Sequence, residues 1–317
     1  MNLLGALFRT PSVTPQVAPA RAAAAGSTSR TIQIRLTSAH LLLRGGFVTD
    51  VEAEGPVTVE NVADGVLITE AVRLQGPPPM CRLEIPNGAT VDLELGTGGL
   101  TVREFRGTLR VRVENGGVSV EHSEGKFRVV VSTGRVDFNH VNGDIDILAS
   151  YGPVTARQTG GGLQAVNTGG TLELEDVDGP VVARTLSGSI DATNLRGTAR
   201  LSTRSGAVRV SASAGQLTVR TQSGDVALEG SVVAHTSIES YKGNLDVKLG
   251  ADTNAHLEAR VNQGVVRADR IAPLPGSSRR MLRTTVGLGQ SRLRLSSGLG
   301  VINVIGPPRV ARVLRAS

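Results

Sequence analysis

Apolar and polar residues alternate along this chain in short runs, and each run is punctuated by glycine at a fixed interval. Gly98, Gly107, Gly116, Gly125, Gly134, Gly143, Gly152, Gly161, Gly170, Gly179, Gly188, Gly197, Gly206, Gly215 and Gly224 are fifteen consecutive hits at a spacing of nine. Two residues after each stands an apolar residue, as at Leu100, Val118, Val136, Leu163 and Val226, and four after it another, as at Val102, Val120, Phe138, Ala165 and Leu228. Inward residues at i and i+2 have the period of a strand. The pattern predicts a nine-residue unit of one short strand and one turn, with glycine placed where a residue without Cβ turns easily. A slower rhythm overlies it. The position seven after glycine is apolar at Phe105, Val141, Val177 and Leu195, multiples of eighteen apart, and mostly polar in the alternate units, with Leu186 an exception.

Two units therefore make one coil. The predicted fold is all-β: a single elongated β-solenoid with two sheets, about 18 residues per coil and two nine-residue strand-turn units per coil. The strict nine argues against hexapeptide helices. The lack of a G-G-x-G-x-D run at each turn argues against a calcium β-roll. The uninterrupted spacing leaves no room for the long excursions of polysaccharide-lyase helices.

The regular repeat covers 98–232. Before it, runs at 31–36, 57–59, 66–68, 81–85 and 90–95 read as strands of an irregular N-terminal cap over 30–97. After it, glycine-led pieces at Gly243, Gly264 and Gly300 read as irregular coils over 233–306. Such caps are needed because a bare end coil offers unpaired N–H and C=O groups to other chains. Residues 1–29, rich in Ala, Pro, Ser and Thr, read as a disordered leader, and 307–317 as a basic tail.

Composition narrows the class. Of 317 residues 39 are glycine and only seven aromatic, with no Trp, which disfavours a helical bundle or a sandwich built on large aromatic anchors. The glycines do not fall every third residue, so collagen is excluded. The charge is +6, from 34 Lys and Arg against 28 Asp and Glu, an excess that permits contact with polyanions without requiring it. A single cysteine, Cys81, excludes an internal disulfide and a cysteine-based zinc site. It also fits a reducing compartment. No stretch approaches eighteen consecutive apolar residues. Residues 1–8 are apolar but short and lack a leading positive charge. The expectation from these features is a cytoplasmic protein with no transmembrane segment.

The run Leu83-Glu-Ile-Pro-Asn-Gly-Ala-Thr-Val-Asp-Leu93, the Ser-Gly units at 187–190 and 223–226, and the close Gly287-Leu-Gly-Gln-Ser-Arg-Leu-Arg-Leu295 followed by Ser297-Gly298 carry a family likeness. Over roughly 30–306 the chain resembles the bacterial putative-adhesin β-strand-repeat domains of unknown function. More distantly it is similar to the polymer-forming bactofilins. Both resemblances imply a β-solenoid, and neither brings catalytic residues with it.

Alternate units sort the outward positions onto two faces. One face gathers Arg110, Arg112, Lys126, Arg128, Arg184, Arg200 and Arg220 against Asp144 and Asp146. The other sets Arg103, Arg135, Arg157 and Arg209 among seven acids. The first is a candidate polyanion-binding face; the alternative is arginine that is simply solvated. On it, Val130, Leu148 and Val166 occupy equivalent outward positions in successive coils with Val182 beside them, a candidate partner contact. His122 and His140 share a corner column with Glu104, but the pattern fixes no third ligand, so no metal and no cofactor is expected. Asn167, Thr185, Thr203 and Thr221 recur every eighteen as a polar ladder. With no catalytic constellation, the leading expectation is a non-enzymatic structural or interaction scaffold. The alternatives are a polyanion- or DNA-binding protein using the arginine face, and a self-assembling filament or oligomer. The corresponding partners are a protein, a second copy, or a nucleic acid or other polyanion.

Overall fold

A computed structural model describes residues 20–22, 31–63, 65–71 and 76–308. The leader over 1–29 and the tail over 307–317 lie outside the described residues except for 20–22 and 307–308. Among the described residues all regular structure is strand. Parallel pairing at an offset of eighteen runs through the regular region: Leu100 faces Val118, Val136 faces Val154, Ile145 faces Leu163, and Val208 faces Val226. The chain winds as a two-sheet solenoid. The front sheet contains Leu163–Gly169, Val181–Ser187, Ala199–Ser205 and Leu217–Ser223, and the back sheet Val154–Gly160, Leu172–Asp178, Ile190–Arg196 and Val208–Ser213. Coils stack at the interstrand spacing of about 4.8 Å.

Alternate residues of both sheets close on one buried core. Its largest side chains are Phe105, Phe127 and Phe138, which meet edge to face with ring centroids 6.5 and 6.0 Å apart. Further along, the small side chains of Ala156, Ala165, Ala183 and Ala192 take the inward positions.

The glycine at each corner has a cause beyond turn flexibility. A Cβ on Gly116 would lie 1.5 Å from the carbonyl oxygen of Gly98, and one on Gly215 1.7 Å from that of Gly197. From Gly116 onward each corner glycine stacks directly on the glycine of the preceding coil, and Gly98 and Gly107 stack on Ala39 and Ala89, so a methyl group would fall against a backbone oxygen. Most of these glycines also hold a positive φ, but Gly188 and Gly215 do not, and the steric requirement remains at both. The chain bends at most of these glycines, and a second special position recurs once per coil. Non-glycine residues take the left-handed conformation at Glu104, His122, His140, Gln158, Asp176, Asn194 and Ala212, with φ between 48 and 56°.

The repeat ends after Gly224 because one residue is inserted. Leu217 faces Thr236 and Val226 faces Leu245, an offset of nineteen, and the glycine stack resumes at Gly243. Beyond this point stacking order departs from chain order. The last strand, Ser291–Ile305, lies directly on Thr236–Lys242 and Leu245–Leu249, while the earlier Ala255–Asp269 lies outside it. The first long strand does the same at the other end. Thr31–Gly46 sits between Thr90–Arg103 on its inner side and Gly65–Glu70 and Met80–Pro86 on its outer side. Each end of the solenoid thus has a strand held between two parallel neighbours. Antiparallel strands lie beyond these: Val57–Val62 and Val51–Glu54 at the first end, the latter followed by Ala20–Ala22, and Met281–Val286 at the second.

Candidate functional site

The front sheet carries the residues singled out from the sequence. Arg112, Val130, Leu148, Val166 and Arg184 stand in one outward column, each directly beside the next on the neighbouring coil. Leu148 is 48% exposed, while Val130 and Val166 are half-buried by their neighbours. Val182 lies in the adjacent column beside Arg200. Tyr151 and Leu186, both exposed at the flanking corner, extend the apolar area. The Tyr151 ring lies over Gly169, whose missing Cβ would sit 3.3 Å from its Cδ1. An open groove of about 490 Å³ crosses the same sheet on the other flank, bordered by Arg110, Lys126, Arg128, Asp144, Asp146 and Val182. It exists because Gly162 and Pro180 follow Lys126 and Asp144 in the column and reach out far less.

All seven cations expected on this face are exposed there, but they divide into two sets. Arg110 pairs with Asp92 at 3.2 Å, Arg128 with Asp146 at 3.6 Å and Arg220 with Glu239 at 3.1 Å. Arg112, Lys126, Arg184 and Arg200 have no ion-pair partner among the described residues. Asp92 and Glu239 flank the strict repeat, which is why the repeat alone did not reveal the pairing.

The back sheet is organised differently. Arg103 meets Glu121 at 3.0 Å and Arg209 meets Asp191 at 3.1 Å. Arg157 bridges Glu173 at 3.4 Å and Glu175 at 3.1 Å. Arg135 bonds Asp137 at 2.6 Å, and that hydrogen bond, with the charge behind it, pushes the guanidinium further above its ordinary value. The acids expected to dominate this face are therefore largely matched by its arginines.

The histidine column forms as read. The rings of His122 and His140 stack with centroids 4.8 Å apart and 12° between planes. His140 Nδ1 lies 2.9 Å from Asn139 Oδ1. Glu104, the carboxylate above the pair, is held by Arg44 at 2.7 and 2.8 Å. Among the described residues no group of three or more His, Cys, Asp or Glu is placed to hold a metal.

The polar ladder has partners other than its own members. Asn167 Nδ2 donates to the carbonyl of Gly152 at 2.9 Å, Thr203 Oγ1 to Gly188 at 3.3 Å and Ser297 Oγ to Gly243 at 3.1 Å. These residues serve the corner carbonyls, whereas Thr185 and Thr221 hydroxyls have no protein partner. Cys81 occupies an inward position beside Leu41 in the back sheet, and burial pushes its thiol up, with the Glu70 charge adding to the effect.

The sequence reading missed the ends. Residues 31–97 hold nine acids and four cations, while 255–308 hold eight arginines and two acids. The net charges of −5 and +6 sit at opposite ends of the solenoid, and 98–254 carries −1. Counting charge by cap would have revealed this; sorting it by face concealed it.

The family model described as Toastrack DUF4097 matches residues 51–304. Among solved structures, a "putative cell adhesion protein" from Clostridium sporogenes ATCC 15579 is 9% identical, with 91% of this chain and 98% of that chain covered and a TM-score of 0.21. A "putative adhesin" from Bacteroides fragilis NCTC 9343 is 12% identical, with coverage of 92% and 96% and a TM-score of 0.21. No curated protein matches the chain. Among the described residues no helix is long and apolar enough to cross a membrane.

Proposed function

The chain belongs to the Toastrack DUF4097 family, and from that premise we propose that it is a non-enzymatic interaction scaffold whose front sheet docks a partner protein. One observation carries this reading: the column Arg112–Val130–Leu148–Val166–Arg184, three apolar side chains bracketed by two arginines without acid partners. Exposed apolar residues in a contiguous strip cost hydration free energy that a partner surface recovers. The bracketing cations select a partner with an apolar centre and carboxylates about 19 Å apart, the rise of four coils. The non-enzymatic part is supported by the chemistry of the polar residues. Most surface acids and arginines of the back sheet are spent on each other, and Cys81 is buried with a thiol held protonated.

A photo-crosslinking residue placed at Leu148, and in a separate variant at Thr193 on the back sheet, tests the reading in cells that make the protein. Adducts are expected from Leu148 alone, and Leu148→Asp in the full chain should remove the same partner. Equal adducts from both positions, or none, would overturn it. The second reading, a polyanion ligand, is favoured by the unpaired Arg112, Lys126, Arg184 and Arg200. It requires gel shifts that weaken steeply with salt and disappear when these four are replaced by Gln.

A further inference from the structure

We infer that the protein associates head to tail, with the C-terminal end of one copy seated on the N-terminal end of the next. This surface is separate from the front-sheet face, and neither reading depends on the other.

Charge is the first ground. The N-terminal cap over 30–97 carries −4, or −3 with Arg21 of its outermost strand, and 255–308 carries +6, so the two ends of identical molecules attract and like ends repel. At the C-terminal end Arg260, Arg267, Arg279, Arg280, Arg292 and Arg294 are exposed and have no ion-pair partner among the described residues; only Arg270 and Arg283 are paired. Glu60 is exposed on the outermost front strand of the N-terminal end.

Shape is the second. Outward from Thr31–Gly46, the back sheet adds three strands, Met80–Pro86, Val51–Glu54 and Ala20–Ala22, whereas the front adds two, Gly65–Glu70 and Val57–Val62. Outward from Ser291–Ile305 the imbalance is reversed. The back sheet adds only 264–269, and the front adds 255–260 and Met281–Val286. The N-terminal end stands one strand taller on the back sheet, and the C-terminal end one strand shorter there. The loop over 270–280 lies on both C-terminal edges, with Leu274 N–H donating to the Arg283 carbonyl at 2.8 Å, Ser278 N–H to that of Met281 at 2.7 Å and Val266 N–H to that of Arg279 at 2.8 Å, so the two steps would meet across this loop. Strand directions agree as well. Ala20–Ala22 runs parallel to the coil strands, and Val57–Val62 and Met281–Val286 both run antiparallel to them.

Incomplete burial is the third. Ala268 continues the inward column of Val304, which is 1% exposed, yet Ala268 itself is exposed, and Val266 is only half-buried. The loop to Met281 touches this edge through the bond from Val266 N–H to the Arg279 carbonyl, and no strand lies beyond it among the described residues. Five of the ten exposed large apolar residues among the described residues are also at the ends: Phe47, Val62 and Met80 at one, Leu274 and Leu288 at the other. A heterologous contact of this kind does not close on itself and produces linear chains.

The full-length protein is tested by light-scattering mass measurement across concentration. At low ionic strength the mass should grow in steps of 32.9 kDa, and about 0.5 M salt, where the screening length falls to a few ångströms, should return it to one step. Arg279→Glu with Arg280→Glu disables one end, and Glu60→Lys weakens the other, at exposed sites where circular dichroism should show unchanged strand content. Each variant alone should fail to elongate, and an equimolar mixture should stop at twice 32.9 kDa. A single step at every concentration and salt would overturn the inference. So would elongation that persists in both variants. Capture of heparin by the arginine end, with the mass remaining at one step, would also overturn it and make that end a polyanion site.

Discussion

The front and back sheets share one skeleton and differ in what they do with charge. In the regular coils the mid-strand outward arginines of the back sheet (Arg103, Arg135, Arg157 and Arg209) each have a carboxylate within 3.4 Å, while Arg196 at a strand end has no ion-pair partner among the described residues. Of the seven mid-strand cations of the front sheet only Arg110, Arg128 and Arg220 are paired among the described residues, and the pairs leave a gap around Val130, Leu148 and Val166. Register, inward columns and corner stacks are the same on both. A solenoid is held up by its inward and corner columns, which leaves the outward columns free to diverge. The back sheet uses them to satisfy itself, and the front sheet leaves them available.

The largest effect should fall on what the two sheets share. Gly188 lies at the corner entering a back strand and Gly215 at the corner entering a front strand, and neither has a positive φ. A Cβ would meet the Gly170 carbonyl oxygen at 2.0 Å and the Gly197 oxygen at 1.7 Å. Gly188→Ala and Gly215→Ala should each cost on the order of 3–5 kcal/mol, because relief requires the coils to separate. Denaturant unfolding of the two variants should give similar losses. A large loss at one corner only would show that the sheets are not held equivalently.

Next comes the polar ladder on the inner edge of the front sheet. Thr203 donates to a corner carbonyl, while the Thr185 hydroxyl is buried without a protein partner. Thr203→Val should lose about 1 kcal/mol, the net worth of one hydrogen bond. Thr185→Val should be neutral or stabilising, since it removes a buried hydroxyl that the fold does not use. Equal losses at both positions, read as shifts of the urea midpoint, would point to a bridging water at Thr185.

Smaller still is the contrast between the outward faces. Arg157→Ala breaks two exposed ion pairs and should cost roughly 0.2–1 kcal/mol, a loss that fades in high salt. Arg184→Ala removes a charge that pairs with nothing among the described residues and should leave the melting temperature unchanged. If Arg184→Ala destabilises as much as Arg157→Ala, the front-sheet arginines are structural and the docking face loses its main support.

Local spacing made the coil legible and long-range order hid the caps. Glycine every nine residues, with apolar residues two and four later, was sufficient to assign two sheets and eighteen residues per coil. The role of those glycines was only half legible, since the clash with the carbonyl of the preceding glycine exists only after coils stack. Val233, where a glycine falls due, marks one inserted residue, and the coils expected over 233–306 continue past it. The insertion of Thr31–Gly46 and Ser291–Ile305 one level inward rests on pairings such as Thr31 with Thr90 and Thr236 with Leu293, far apart in the chain. No local pattern encodes such partners. The apolar column at Val130, Leu148 and Val166 was readable from period alone, whereas the neutralising partners of Arg110 and Arg220 were not, because they flank the repeat.

The smallest effect separates an inward position from all the outward ones. Cys81 faces the core beside Leu41, and burial raises its thiol above its ordinary 9.0. The folded state therefore holds this proton to higher pH than the unfolded chain does. That preference adds stability in full below 9.0, and the contribution is lost as pH rises through the folded value. The melting temperature of the native protein should fall slightly faster above pH 9 than that of Cys81→Ala, and the two curves should run parallel between pH 6 and 8. A maleimide should modify the native thiol slowly and the unfolded thiol quickly. Curves that stay parallel to pH 10, or rapid native modification, would mean that the N-terminal cap opens readily and that its strands are less tightly held than the coils they cover.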